Sequence, residues 1–114
     1  MSLDQLILNI KKISSEKEVI GLANYIQDWK TNEMTAVELR SSVEKYLGNI
    51  WLENNFDYLH IYSVWSEFRN IAIDGIGGMT MNERLYHFGL SEAYEKLTTE
   101  KEKEKFFTKL MTRK

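Results

Sequence analysis

No proline interrupts the 114 residues, and apolar side chains recur at steps of three and four along almost the whole chain. Proline locks φ and lacks an amide proton, which makes it the commonest helix breaker. Average usage of about 5% would place roughly six in a chain of this length. Leu3, Leu6, Ile7, Ile10 and Ile13 form one stripe, and Val19, Leu22, Ala23, Ile26 and Trp29 form a second. A third runs through Leu39, Val43, Tyr46, Leu47, Ile50 and Trp51. Such stripes lie on one side of a 3.6-residue helix and must be buried against a partner. From Phe56 to Ile73 the chain is apolar on more than one side, as a central helix would be. No segment shows strict alternation bounded by turn pairs such as Asn-Gly, so strands are not expected.

Helix starts carry their own marks. A Ser or Thr followed three residues later by Glu can form a capping box, each side chain satisfying a backbone N–H left free in the first turn. Ser15 with Glu18, Thr35 with Glu38, Thr80 with Glu83, and Thr99 with Glu102 are spaced in this way, each where a stripe begins. Gly75-Ile76-Gly77-Gly78 is the chain's one glycine cluster and reads as a sharp turn out of the central helix. Shorter helices are expected at about 81–88, 92–97 and 100–112, and Gly89 suits the left-handed residue that closes the first of them. The fold expected is an all-α, single-domain bundle over residues 1–114, with five to seven helices and the glycine-containing turn at 75–78.

Composition narrows the chemistry by exclusion. Without cysteine there is no disulfide, thiol nucleophile or thiolate metal site, and two histidines cannot build a three-histidine zinc site. No metal and no cofactor are expected. A net charge of −2 argues against nucleic acid as a partner, because that binding draws on Lys and Arg neutralising phosphates. No apolar run approaches the roughly eighteen residues that cross a bilayer. No membrane partner and a cytoplasmic address are therefore expected. The basic end, with Lys101, Lys103, Lys105, Lys109, Arg113 and Lys114 around Phe106, Phe107, Leu110 and Met111, reads as a helix docked on the bundle with its cations favouring the helix C-terminus.

Catalytic arrangements are weak. Asp57, His60, Glu67, Asn70 and Asp74 share a polar strip of the central helix. His60 and Glu67 are two turns apart, about 10 Å, too far to share one ion. Glu83 and His87 stand at zinc-helix spacing, but there is no His-Glu-x-x-His and no third ligand nearby. No Gly-x-Ser-x-Gly elbow occurs. The chain is expected to be non-enzymatic. The glycine turn before a helix could offer free N–H groups to an anion, with Gly77, Gly78, Thr80, Asn82 and Arg84 as the residues within reach. It lacks the lysine and the spacing of the phosphate loops, so a small-anion or metabolite site there, or a minor enzyme, is the alternative reading.

Six of fourteen aromatic residues fall between Trp51 and Phe68. Large rings usually serve the core of a small domain, but Tyr and Trp left at the surface are the types that anchor interfaces. Tyr58, Tyr62 and Trp65, with Glu67 beside them, are the expected contact residues. The leading expectation is a protein–protein interaction module, its partner another protein or a second copy.

Met79-Thr80-Met81-Asn82-Glu83-Arg84-Leu85 resembles a Met-Thr-x-Asn-Glu-Arg-Leu segment of small uncharacterised bacterial proteins. The resemblance covers about residues 77–112. It implies a bacterial, cytoplasmic origin and a capped helix followed by a helical hairpin, and it transfers no catalytic residue. In size and style the chain is also similar to immunity proteins and antitoxins, an analogy of class and not of motif.

Overall fold

The computed structural model describes residues 1–111. Among them are seven α-helices and no strand: α1 Leu3–Ile13, α2 Lys17–Trp29, α3 Ala36–Gly48, α4 Asn55–Phe68, α5 Met81–His87, α6 Ser91–Glu95 and α7 Glu100–Lys109. The all-α bundle is as expected. Of the four capping boxes expected, Thr35 with Glu38 and Thr80 with Glu83 form in full. Thr99 accepts from the Glu102 amide at 3.2 Å, but its hydroxyl turns to the Glu102 carboxylate at 2.9 Å and no backbone return bond closes the box. Ser15 caps nothing. α2 starts from Glu16 without a side-chain cap, and it is Ser14 whose hydroxyl accepts from the Glu16 amide. A further box joins Ser2 to Gln5 at the start of α1.

α4 does not end at Phe68; its axis continues through a π-helical turn, Arg69–Ile73, closed by the Asp74 amide donating to the Arg69 carbonyl at 2.9 Å. The wider turn has a packing cause. In an unbroken α-helix Ile73 would lie about 80° round from Trp65, at the edge of the buried face. With the extra residue Ala72 and Ile73 are both buried, while Ile71 is turned to solvent. Gly75 follows, where a Cβ would stand 2.6 Å from the Ile71 carbonyl oxygen, so only glycine fits behind the π turn. A 3₁₀ turn at Ile76–Gly78 then leads to α5.

α5 closes on Gly89 at φ +67°. The Leu90 amide reaches the Leu85 carbonyl at 2.9 Å and the Gly89 amide reaches that of Tyr86 at 3.2 Å, the two bonds of a Schellman ending. Leu85 and Leu90, which flank the motif, are both buried.

The buried apolar side chains form one cluster drawn from α1 to α5 and the turns that join them, with Leu90 and, just past α7, Leu110. α1 packs against both α2 and α4, and α3 packs against α2 and the π turn. A run of rings crosses the interior: Trp29 to Phe88 at 5.2 Å, Phe88 edge-on to Phe68 at 5.6 Å, and Phe68 to Trp65 at 6.1 Å. Trp29 is fully enclosed, and its indole N–H donates to the Thr35 carbonyl at 3.1 Å, so burial leaves its polar atom satisfied. The molecule is elongated, 47 × 24 × 21 Å.

Candidate interaction surface

α4 is apolar on more than one face, and its packing divides them. Ile61, Trp65 and Phe68, at steps of four and three, lie against the core. Residues out of phase with that stripe face outward whatever their chemistry. Phe56 is 82% exposed, Leu59 56% and Tyr62 42%; they follow one another at steps of three along a ridge that slants across the helix. Trp51, 75% exposed, stands in the linker that feeds α4. A depression of about 320 Å³ lies beside it, lined by Ile50, Trp51, Leu52, Glu53, Asn55 and Tyr58. Exposed large rings beside a shallow slot are the surface type in which interface anchors concentrate.

The segment of chain that carries this ridge is acidic, with Arg69 reaching Tyr62 at its far end. Between Lys45 and Arg69 the chain carries no Lys or Arg, while Glu53 and Glu67 are exposed beside the ridge and Asp57 is half-buried. At the far end the cations are already paired. Arg69 meets Glu44 at 2.6 Å and Arg40 meets Asp74 at 2.6 Å, tying α3 to the π turn. Hydrogen bonding to Glu44 raises the Arg69 pKa, against a smaller opposing effect of burial.

The four residues expected at an interface separate on this geometry. Tyr62 and Glu67 are exposed. Tyr58 is half-buried and its hydroxyl donates to the Leu47 carbonyl at 2.7 Å, so it fastens α4 to the end of α3 and offers only an edge. Trp65 is fully buried, its indole N–H directed to Glu44 at 3.4 Å, and cannot reach a partner without unfolding. The residues missed, Trp51, Phe56 and Leu59, had a usable signal: Phe56 and Leu59 are out of phase with the Ile61–Trp65–Phe68 stripe.

At the glycine turn Gly77, Gly78, Thr80 and Asn82 are all exposed. Thr80 is engaged in its capping box, with its hydroxyl accepting from Glu83 at 3.2 Å. The Glu83 carboxylate accepts from the Thr80 amide at 2.8 Å, and that backbone bond, then the Thr80 hydroxyl, holds its pKa below the usual carboxylate range. Arg84 is not the exposed guanidinium that an anion site needs. It is 7% exposed, and it donates through Nε to the Met79 carbonyl at 3.2 Å and through a terminal nitrogen to the Leu110 carbonyl at 2.8 Å. The side chain thus fastens the end of α7 to the start of α5.

Asp57, His60, Glu67, Asn70 and Asp74 do not converge. Asp74 is drawn to Arg40, and Asn70 accepts from Arg69 at 3.1 and 3.2 Å. Among the described residues no three His, Asp or Glu side chains come together as a metal site, and no helix is long and apolar enough to cross a membrane. The basic end docks as expected through Leu110 and half-buried Phe106, which meets Tyr94 at 5.8 Å. Arg113 and Lys114 lie outside the described residues. Lys109, expected among the cations at the helix C-terminus, is 5% exposed. Its ammonium donates to the carbonyls of Asn32 at 2.6 Å and Met34 at 3.0 Å and sits 3.9 Å from the centre of the Trp29 ring. Burial lowers its pKa to about 8, with Glu38 pulling weakly the other way.

Comparison with protein-family models, with curated proteins and with solved structures finds no match to this chain in any of the three.

Proposed function

We propose that the chain is a non-enzymatic, cytoplasmic, bacterial protein-binding module whose docking surface is the ridge of Phe56, Leu59 and Tyr62 with Trp51 beside it. One observation carries this reading: three large apolar side chains stand more than half exposed within nine residues, at Trp51, Phe56 and Leu59. Scattered exposed apolar residues are ordinary, but a run of them costs solubility unless something covers it. The acidic frame disfavours an anionic lipid surface as the cover, since juxtaposed carboxylates would be repelled. A protein partner with an apolar centre and a basic rim suits it. The alternative, a small-anion site at residues 77–84, loses its main support because Arg84 is buried on two backbone carbonyls.

The test is quantitative affinity enrichment from a bacterial lysate with the wild-type chain and with the double variant Trp51→Ala, Phe56→Asp, both positions being exposed enough to leave the fold unchanged by circular dichroism. A stoichiometric protein recovered by the wild type and lost by the variant is expected, or a wild-type dimer in sedimentation that the variant abolishes. Equal recovery by both chains, or a monomer with no stoichiometric partner, overturns the reading.

A further inference from the structure

A second feature involves none of the ridge residues. A cleft of about 530 Å³ opens between the turn after α2 and the helices α6 and α7, lined by Lys30, Asn32, Glu33, Lys105, Phe106 and Lys109 among others. That volume lies within the range of small-ligand pockets. Three ammonium groups and one carboxylate line it, in a chain whose net charge is −2. Lys30 is already neutralised by Asp4 at 2.8 Å. Lys109 is not: among the described residues no carboxylate forms an ion pair with it, its ammonium is held by the oxygens of Asn32, the Met34 carbonyl and the Trp29 face, and Glu38 attracts it only weakly. A buried ammonium balanced chiefly by dipoles, with no carboxylate in contact, is incompletely stabilised, so its field extends into the cleft, where an anion would lower its free energy. Lys105 is exposed at the rim. Phe106 supplies an apolar wall, backed by Tyr94.

We propose that this cleft binds a small organic anion with an apolar body, its charge drawn by Lys105 and the field of Lys109 and its body laid against Phe106. Neither half suffices alone. A bare inorganic anion leaves the phenyl wall wet, and a neutral aromatic leaves the ammonium groups uncompensated. The charged groups that face Lys109 are Lys30 and Glu33 from the α2 end and its turn, Glu38 from α3 and Lys105 from α7. Because burial holds the Lys109 pKa near 8, a bound anion raises it, and binding near pH 8 takes up protons.

The experiment is an amide-resolved NMR titration of the whole chain with naphthalene-1-sulfonate, with sulfate and 1-naphthalenemethanol as the two half-probes. Shifts centred on Asn32, Glu33 and Thr108 are expected, with each half-probe weaker than the whole. Lys105→Glu, at an exposed position, weakens binding about fivefold, whereas Phe56→Asp leaves it unchanged. Calorimetry at pH 8 in two buffers of different ionisation enthalpy shows the proton uptake. Shifts confined to the Trp51–Tyr62 ridge, equal binding by Lys105→Glu, or no shift up to about 10 mM probe would overturn the proposal.

Discussion

Lys109 allows the energetics of the fold to be checked through pH. In the folded chain burial lowers its pKa to about 8 from the ordinary 10.5. Between those two values the unfolded chain binds more protons than the folded one, so stability rises with pH across that window. Below about pH 8 both states carry the charge and the full cost of burying it is present; above about 10.5 neither does. At about 1.4 kcal/mol per unit the ceiling is about 3 kcal/mol, and solvent reaching the cleft reduces this to about 1–2 kcal/mol. Other lysines and the tyrosines titrate in the same range, so the comparison must be with Lys109→Met, which keeps the length and removes the charge. Urea unfolding followed by Trp fluorescence at pH 7.5 and pH 10 is the assay. The wild type is expected to gain about 1–2 kcal/mol relative to the variant between the two. Differences that stay parallel within about 0.3 kcal/mol would refute the claim that the ammonium is buried at a cost.

Four other outcomes follow from particular contacts. Gly89→Ala places a Cβ at φ +67° and 2.7 Å from the Asp4 carboxylate; a loss of about 1–2 kcal/mol is expected, read as a melting point lower by roughly 4–8 °C. Arg84→Met leaves the Leu110 and Met79 carbonyls without their donor, and should cost about 2–4 kcal/mol while speeding amide exchange throughout α7. Thr35→Ala removes a full capping box and should cost about 1 kcal/mol in chemical unfolding. The support that Glu83 gives α5 is present above the ordinary carboxylate range and is lost as pH falls through its lowered folded-state value; Glu83→Gln should flatten that part of the acid-unfolding curve.

How far the chain could be read in advance differs between levels. The helices follow from apolar spacing, except that the helix of the third stripe stops at Gly48 and leaves Trp51 exposed in the linker, and Thr35 and Thr80 start helices as their glutamates require. The box at Ser2 is closed by Gln5, whose amide serves as well as a carboxylate, so a Ser/Thr-x-x-Glu spacing does not reveal it. The π turn at 69–73 has no local signature; it arises from the need to bury Ala72 and Ile73 together. Arg84 and Lys109 looked solvated by residue type, yet each sits in phase with an apolar stripe, Met81–Leu85–Phe88 and Phe106–Leu110 respectively. Position on the helix outweighed the charge, because backbone carbonyls at the ends of neighbouring elements could satisfy the donors. The same rule sorts the rings of α4. Trp65 is in phase and buried; Phe56 is out of phase and bare.

The proposed docking role of the α4 ridge is judged most directly by the dissociation constant of whatever protein the wild-type chain recovers stoichiometrically, measured for the wild type and for Phe56→Asp. A central aromatic anchor lost from an interface weakens binding by at least about tenfold, and that is the expected result, with the fold intact by circular dichroism. An unchanged constant would mean that Trp51, Phe56 and Leu59 are bare for some other reason and that the docking surface lies elsewhere.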